Sequence, residues 1–234
     1  MATRFLKIDY TARVKDGKIF DTTHKEEAQK AGIYDEHHVY RPLPVIVGQK
    51  QVPDGVDEAL AEIPSGETRT INVPPEKAFG ERNPALIRLI PLKLFKERKI
   101  NPVPGLPIEV DRMQGRVQTV SGGRVRVDFN HELAGKELVY DVTVKAEAKS
   151  DHEKADFLVE RSFNEAKDLS FTYEKGKLTV TLTPAIARDR NILARKANLA
   201  AESFLYLTAK TVTFTENWEN PEEKKADEKA ETKE

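Results

Sequence analysis

Proline sets the first constraint on this chain. Eleven of its thirteen prolines lie between Pro42 and Pro107, and only Pro184 and Pro221 follow. Proline breaks helix interiors and cannot donate to a strand ladder, so that stretch must be built from short elements and turns. Longer elements are expected only before and after it. A length of 234 residues leaves room for more than one folding unit.

Ahead of the prolines, residues Arg4 to Val14 alternate cleanly, with Leu6, Ile8, Tyr10, Ala12 and Val14 on one face and Lys7, Asp9, Thr11 and Arg13 on the other. That period of two predicts a half-buried strand. Lys15-Asp16-Gly17-Lys18 reads as a hairpin turn, because Asp-Gly can take the positive φ of a tight turn, and Ile19-Phe20 begins the return strand. Asp54 is the expected N-cap of a short helix that carries Val56, Leu60 and Ile63 inward and ends at Pro64. Thr68 to Val73 is a strand stopped by Pro74-Pro75, and Glu137 to Ala146 is another, suited to the sheet begun at Arg4.

Between them, Asn83 to Phe129 has its own grammar. Leu86 to Ile90 predicts a strand, Pro91 to Glu97 a short helix with proline first, and Asn101 to Pro107 a loop. Ile108 to Val110, Arg116 to Val120 and Arg124 to Phe129 predict three more strands, the last two joined through Ser121-Gly122-Gly123. So small a β module is near the lower size limit for burying its own core and should keep apolar surface exposed. From Ser150 onward helical periods appear: a helix over Asp151 to Phe163, a hairpin of Leu169 to Tyr173 with Lys177 to Thr183, a helix from Pro184 to about Tyr206, and a strand over Lys210 to Thr215. In the Pro184 helix, Ile186, Leu193, Ala197, Ala200 and Phe204 fall at core spacing, while Ile192, Leu199 and Tyr206 make a second stripe that points to a homodimer through this domain. After Trp218 no apolar residue larger than alanine occurs, so Glu219 to Glu234 is expected to be a disordered charged tail.

Composition removes several function classes. There is no cysteine, which excludes disulfides, thiolate nucleophiles and cysteine-ligated zinc. Lys+Arg 38 against Asp+Glu 39 leaves a net charge of -1, which argues against strong capture of nucleic acid. Arg112, Arg116, Arg124 and Arg126 interleave with Glu109, Asp111 and Asp128 as a mixed solvated face. No apolar run approaches the roughly 18 residues of a membrane span, and the expected location is the cytosol. Nucleophile elbows, phosphate loops and paired-histidine zinc motifs are missing. Asp35-Glu36-His37-His38 reads as a solvated loop rather than a metal site, and no cofactor is expected.

Five segments, taken in order, carry a resemblance. Tyr10-Thr11, Asp16-Gly17-Lys18-Ile19-Phe20-Asp21, Val52-Pro53-Asp54-Gly55-Val56, Ala78-Phe79-Gly80 and Leu138-Val139-Tyr140-Asp141-Val142 follow the spacing of FKBP-type peptidyl-prolyl isomerases. Asn130 to Gly135 is similar to the return motif of the SlyD-like members, which carry a chaperone domain inserted in the flap, and the whole resembles the long archaeal members. The resemblance implies an α+β fold: a curved antiparallel sheet around one short helix, a small β-rich insert in the flap, and a C-terminal α-β-β-α-β domain. It implies an isomerase domain over 1–84 with 130–149, the insert over 85–129, the C-terminal domain over 150–218 and the tail over 219–234.

By the same resemblance, Asp21, Tyr10, Phe20, Phe79 and Tyr140 are the catalytic set, and Leu43, Val45, Val52, Pro53, Val56, His131 and Leu133 bind substrate, with His131 on the rim. Leu86, Ile90, Leu94 and Phe95 are the expected chaperone surface, and the expected partners are unfolded chains with Xaa-Pro bonds. The family commonly has tryptophan where Val56 stands and a flap tyrosine where Phe79 stands. Two activities therefore stay open: an isomerase with chaperone modules, or a holdase with a vestigial pocket.

Overall fold

The computed structural model of the protein describes residues 3–163 and 169–218, and the charged tail from Glu219 lies outside the described residues. The chain divides into two compact units, one of residues 8–43 with 47–145, the other of residues before 8, 44–46 and those from 146 onward.

The alternating segments become sheet. Strand β1 (Phe5–Val14) turns into β2 (Ile19–Thr22), pairing Thr11 with Thr22 and Ala12 with Asp21 before a bulge shifts the register to Arg13 with Ile19. In the turn Asp16, not Gly17, takes the positive φ of 56°. Gly17 is crowded instead, since a Cβ there would lie 3.0 Å from Val14 Cβ. Helix α1 (Lys25–Ala31) follows and then β3 (Leu43–Ile46), neither expected from the sequence pattern. Helix α2 (Asp54–Leu60) has Pro53 at its N-cap, so Asp54 is the first helical residue and makes no side-chain cap.

Val56, Leu60 and Ile63 are buried as the spacing required. Burial is worth about 1.5–3 kcal/mol for each such side chain. Gly55 lets α2 approach β4 (Thr68–Val73), because a Cβ at this position would lie 2.8 Å from Val73 Cγ1. Strand β4 pairs antiparallel with β9 (Leu138–Ala148), setting Ile71 opposite Tyr140 and Val73 opposite Leu138. The strand order is β2-β1-β9-β4, with β3 also on β1.

The insert is a separate four-stranded sheet of β5 (Ile87–Pro91), β6 (Pro107–Val110), β7 (Met113–Ser121) and β8 (Arg124–Asp128), in the order β5-β8-β7-β6. Gly122 and Gly123, at φ 56° and 72°, make the β7–β8 turn that matches strand twist. Helix α3 (Leu92–Glu97) starts after Pro91 and drops Phe95 into a core with Val117, Val125, Val127 and Phe129.

In the second unit, α4 (Asp151–Phe163) spans the expected residues, and β10 (Ser170–Glu174) pairs antiparallel with β11 (Lys177–Leu182). β12 (Thr211–Glu216) runs parallel to β11. The helix expected from Pro184 to Tyr206 is instead two: α5 (Pro184–Ala187), capped by Thr183, and α6 (Ile192–Tyr206). The break resets the helical phase. Ile192, Leu199 and Tyr206 therefore belong to the core with Phe157, Leu158 and Leu178, whereas Leu193 and Phe204, expected inside, are 79% and 52% exposed. No helix among the described residues is long and apolar enough to cross a membrane.

Candidate active site

Strand alternation, with the bulge that leaves Phe20 unpaired beside Asp21, places one cavity. Tyr10 of β1, Phe20 and Asp21 of β2 and Tyr140 of β9 turn to the side on which α2 presents Val56, and the segment before α2 adds Val52 and Pro53. Leu43 and Phe79 complete the walls of a cavity of about 460 Å³. Ile8, Ala78 and Val142 also line it, as do the exposed Lys50, Gln51 and Asp54. Sequence reasoning missed these six, although Ile8 and Val142 were within reach of it, since each lies two residues from a tyrosine of the cavity on the same strand face.

Inside the cavity the Tyr10 hydroxyl donates to Asp21 Oδ2 at 2.6 Å. The Tyr140 ring packs against Tyr10 at 6.0 Å and edge-on against Phe20 at 6.1 Å. Burial pushes the Tyr10 phenol well above its ordinary pKa, and the hydrogen bond to Asp21 pushes it further. Burial also raises Tyr140, helped by the negative charge of Asp21. Both phenols are therefore neutral donors at any physiological pH. The Tyr10 hydroxyl is engaged as hydrogen-bond donor to Asp21, and among the described residues none bonds the Tyr140 hydroxyl, which leaves it for a ligand.

The wall before α2 is pinned from behind. Asp57, 8% exposed, accepts the Gly48 N–H on both carboxylate oxygens at 3.1 and 2.9 Å. The segment it holds has two left-handed residues, Gly48 at φ 89° and Lys50 at φ 53°.

Several expected site residues lie elsewhere. Val45 is fully buried and does not line the cavity, whereas Leu43, two residues earlier at the start of β3 and only half-buried, does. His131 and Leu133 are not in the walls either. His131 stacks flat on Phe79 at 4.3 Å, and its Nδ1 accepts the Leu133 N–H at 3.2 Å. On the insert, Phe95 is 4% exposed and forms the core, with Leu86 and Ile90 packed against it, because α3 has one face to give the sheet and Phe95 occupies it. The exposed apolar residues there are Leu89 at 61%, Val103 at 48% and Leu94 at 46%. Leu94 also borders a shallow cleft with Ile90, Ile100, Ile108 and Val110. The loop of Asp35 to His38 is exposed and ordered locally by the His37 N–H on Asp35 Oδ1.

Comparison with known proteins agrees with this geometry. Over 141 residues, 60% of this chain and 89% of the relative, it is 37% identical to a short-type peptidyl-prolyl cis-trans isomerase of Methanocaldococcus jannaschii. It is 32% identical to a probable FKBP-type 16 kDa peptidyl-prolyl cis-trans isomerase of Pseudomonas fluorescens over 108 residues, 44% of this chain and 71% of the relative. With the FKBP-type isomerase SlyD of Vibrio cholerae it shares 31% identity over 118 residues, 49% of this chain and 58% of the relative. Two family descriptions match further segments: "FKBP26, IF domain" over residues 88–133 and "FKBP26_C-terminal" over residues 151–219.

Proposed function

The chain belongs to the FKBP-type peptidyl-prolyl cis-trans isomerases, and from that premise we propose that the cavity around Tyr10, Asp21 and Tyr140 accelerates rotation of Xaa-Pro bonds. The barrier, about 18–20 kcal/mol in amides generally, comes from resonance that places negative charge on the carbonyl oxygen of the planar bond. Twisting the bond removes that charge separation, so an apolar enclosure favours the twisted form over the planar one. No nucleophile or cofactor is needed. Phe20, Val52, Pro53, Val56 and Phe79 supply the apolar walls. The Asp21 carboxylate, fixed by Tyr10, sits beside the rotating carbonyl and disfavours its polarised planar form, while the Tyr140 hydroxyl orients the substrate through a neighbouring main-chain carbonyl.

The observation that carries this reading is the 2.6 Å Tyr10–Asp21 bond inside a largely apolar cavity of about 460 Å³. Val56 and Phe79 both line the cavity together with Tyr10, Phe20, Asp21 and Tyr140, which favours an active enzyme over a vestigial pocket. The substrates are polypeptides with Xaa-Pro bonds in the cytosol. The insert captures unfolded segments on Leu89, Leu94 and Val103, and tethering them beside the pocket raises the local concentration of client prolines to about the millimolar range. The exposed α6 stripe of Leu193, Phe204 and Leu205 is the face through which two copies pair.

Replacing the insert by a short flap turn tests the division of labour. Tetrapeptide isomerisation should stay within a few-fold of wild type while refolding of a proline-limited protein slows sharply. Equal loss on both substrates would make the insert a support for the pocket, and unchanged refolding would remove it as the client site.

A further inference from the structure

Behind the cavity wall, the two threonines that follow Asp21 are buried, Thr22 at 2% and Thr23 at 8% exposure. Both aim their polar atoms at the main chain of Tyr10. The Tyr10 N–H donates to Thr23 Oγ1 at 2.9 Å, the Thr23 N–H donates to Tyr10 O at 3.0 Å, and Thr22 Oγ1 donates to the same carbonyl at 3.0 Å. Strand β2 ends at Thr22, so a side-chain hydroxyl stands where a ladder would offer a carbonyl. The direction of that hydroxyl is itself set. Thr23 has one proton to give, and Asp9 Oδ1 at 3.1 Å is a nearer and more strongly accepting target than Tyr10 O at 3.3 Å. With the proton turned to Asp9, an Oγ1 lone pair is left for the Tyr10 N–H.

We infer that Thr23, oriented by Asp9, is a positioning residue that holds the Tyr10 backbone so that its phenol reaches Asp21. The bulge between Ala12 and Arg13 makes such a hold necessary, because it loosens the β1–β2 ladder within three residues of Tyr10. Thr22 supports the same carbonyl, and its Oγ1 accepts the His24 N–H at 3.1 Å, which ties the hold to the start of α1. Neither threonine lines the cavity, so neither touches substrate. The inference rests on the reading of Tyr10 and Asp21 as the catalytic pair.

The test is Thr23→Val in the full chain, which keeps the shape and removes the acceptor of the Tyr10 N–H. Two readouts are taken: kcat/KM on a Xaa-Pro tetrapeptide, and proton NMR of the Tyr10 hydroxyl, whose exchange is slowed by its bond to Asp21. Thr23→Val should lower kcat/KM about five- to tenfold and broaden or abolish the hydroxyl signal, and Thr23→Ser should restore both. In a Tyr10→Phe background the same Thr23→Val change should alter kcat/KM less than about twofold, since nothing is left to position. An unchanged hydroxyl signal in folded Thr23→Val, or the same fold loss in the Tyr10→Phe background, overturns the inference. Full activity in Tyr10→Phe alone would overturn the catalytic reading, while the NMR signal still decides the role of Thr23. If Thr23→Val does not fold, Asp9→Ala frees the hydroxyl rotor and must weaken the same signal for the inference to stand.

Discussion

Removal of the Asp21 carboxylate is the perturbation whose size follows most directly from the structure. Asp21 accepts from the Tyr10 hydroxyl at 2.6 Å, in surroundings dry enough to raise the phenol pKa. A hydrogen bond to a charged group contributes about 1.5–3 kcal/mol, and a buried donor left unpaired costs about 1–3 kcal/mol. Part of this acts equally on free and bound enzyme. If about half is realised only as the imide twists, the barrier rises by about 1.4 kcal/mol, a tenfold loss. Asp21→Ala should therefore lower kcat/KM on a Xaa-Pro tetrapeptide by about tenfold or more, with the loss mainly in kcat. Asp21→Asn keeps an acceptor for Tyr10 but not the charge, and should fall between wild type and Asp21→Ala. The assay is cis-to-trans relaxation at low peptide concentration, with far-UV circular dichroism to confirm that both variants fold. Wild-type activity in both folded variants would refute the reasoning, and Asp21→Asn as poor as Asp21→Ala would assign the whole effect to charge.

Other consequences are as direct. Asp57→Ala releases Gly48 and should raise KM about threefold with little change in kcat, whereas Asp57→Asn, which keeps an acceptor oxygen, should stay near wild type; equal effects of the two would deny the pinning role. The full chain should sediment as a dimer and the Leu193→Asp, Phe204→Asp double variant as a monomer, with wild-type monomers at micromolar concentration counting against the α6 face. Asp141 is held below the usual carboxylate range by the Thr70 hydroxyl and then by the Arg13 guanidinium. Its folded value lies under its unfolded one, so it stabilises above the unfolded value of about 4 and that contribution is lost as pH falls through the folded value. Asp141→Asn should thus narrow the gap in Tm between pH 7 and pH 3, and an unchanged gap would count against the assignment.

What could be read from the sequence followed the strength of local periodicity. Strands β1, β4 and β9 were legible because alternate residues are buried on one face and solvated on the other, and α4 because its apolar residues recur at helical spacing. Helix α1 was not, since it buries only Ala28 and offers no apolar stripe. β3 was hidden by Pro42 and Pro44, which demote a strand on sight yet are tolerated where the ladder needs no donor. The reversed faces of α6 came from counting phase from Ile186 through residues 188–191, where the helix is interrupted. At the site, the aromatic positions and Asp21 were visible as motifs. The Tyr10–Asp21 bond and its support from Thr23 were not, because they depend on a bulge that no local pattern announces.

The most direct test of the account is the cis/trans relaxation of a Xaa-Pro tetrapeptide with increasing amounts of the full chain. The rate should rise linearly with protein concentration above the spontaneous rate, and it should do so without added metal or cofactor. A rate that stays at the spontaneous value while the protein still suppresses aggregation of an unfolded client would contradict the account and leave a holdase with an idle pocket.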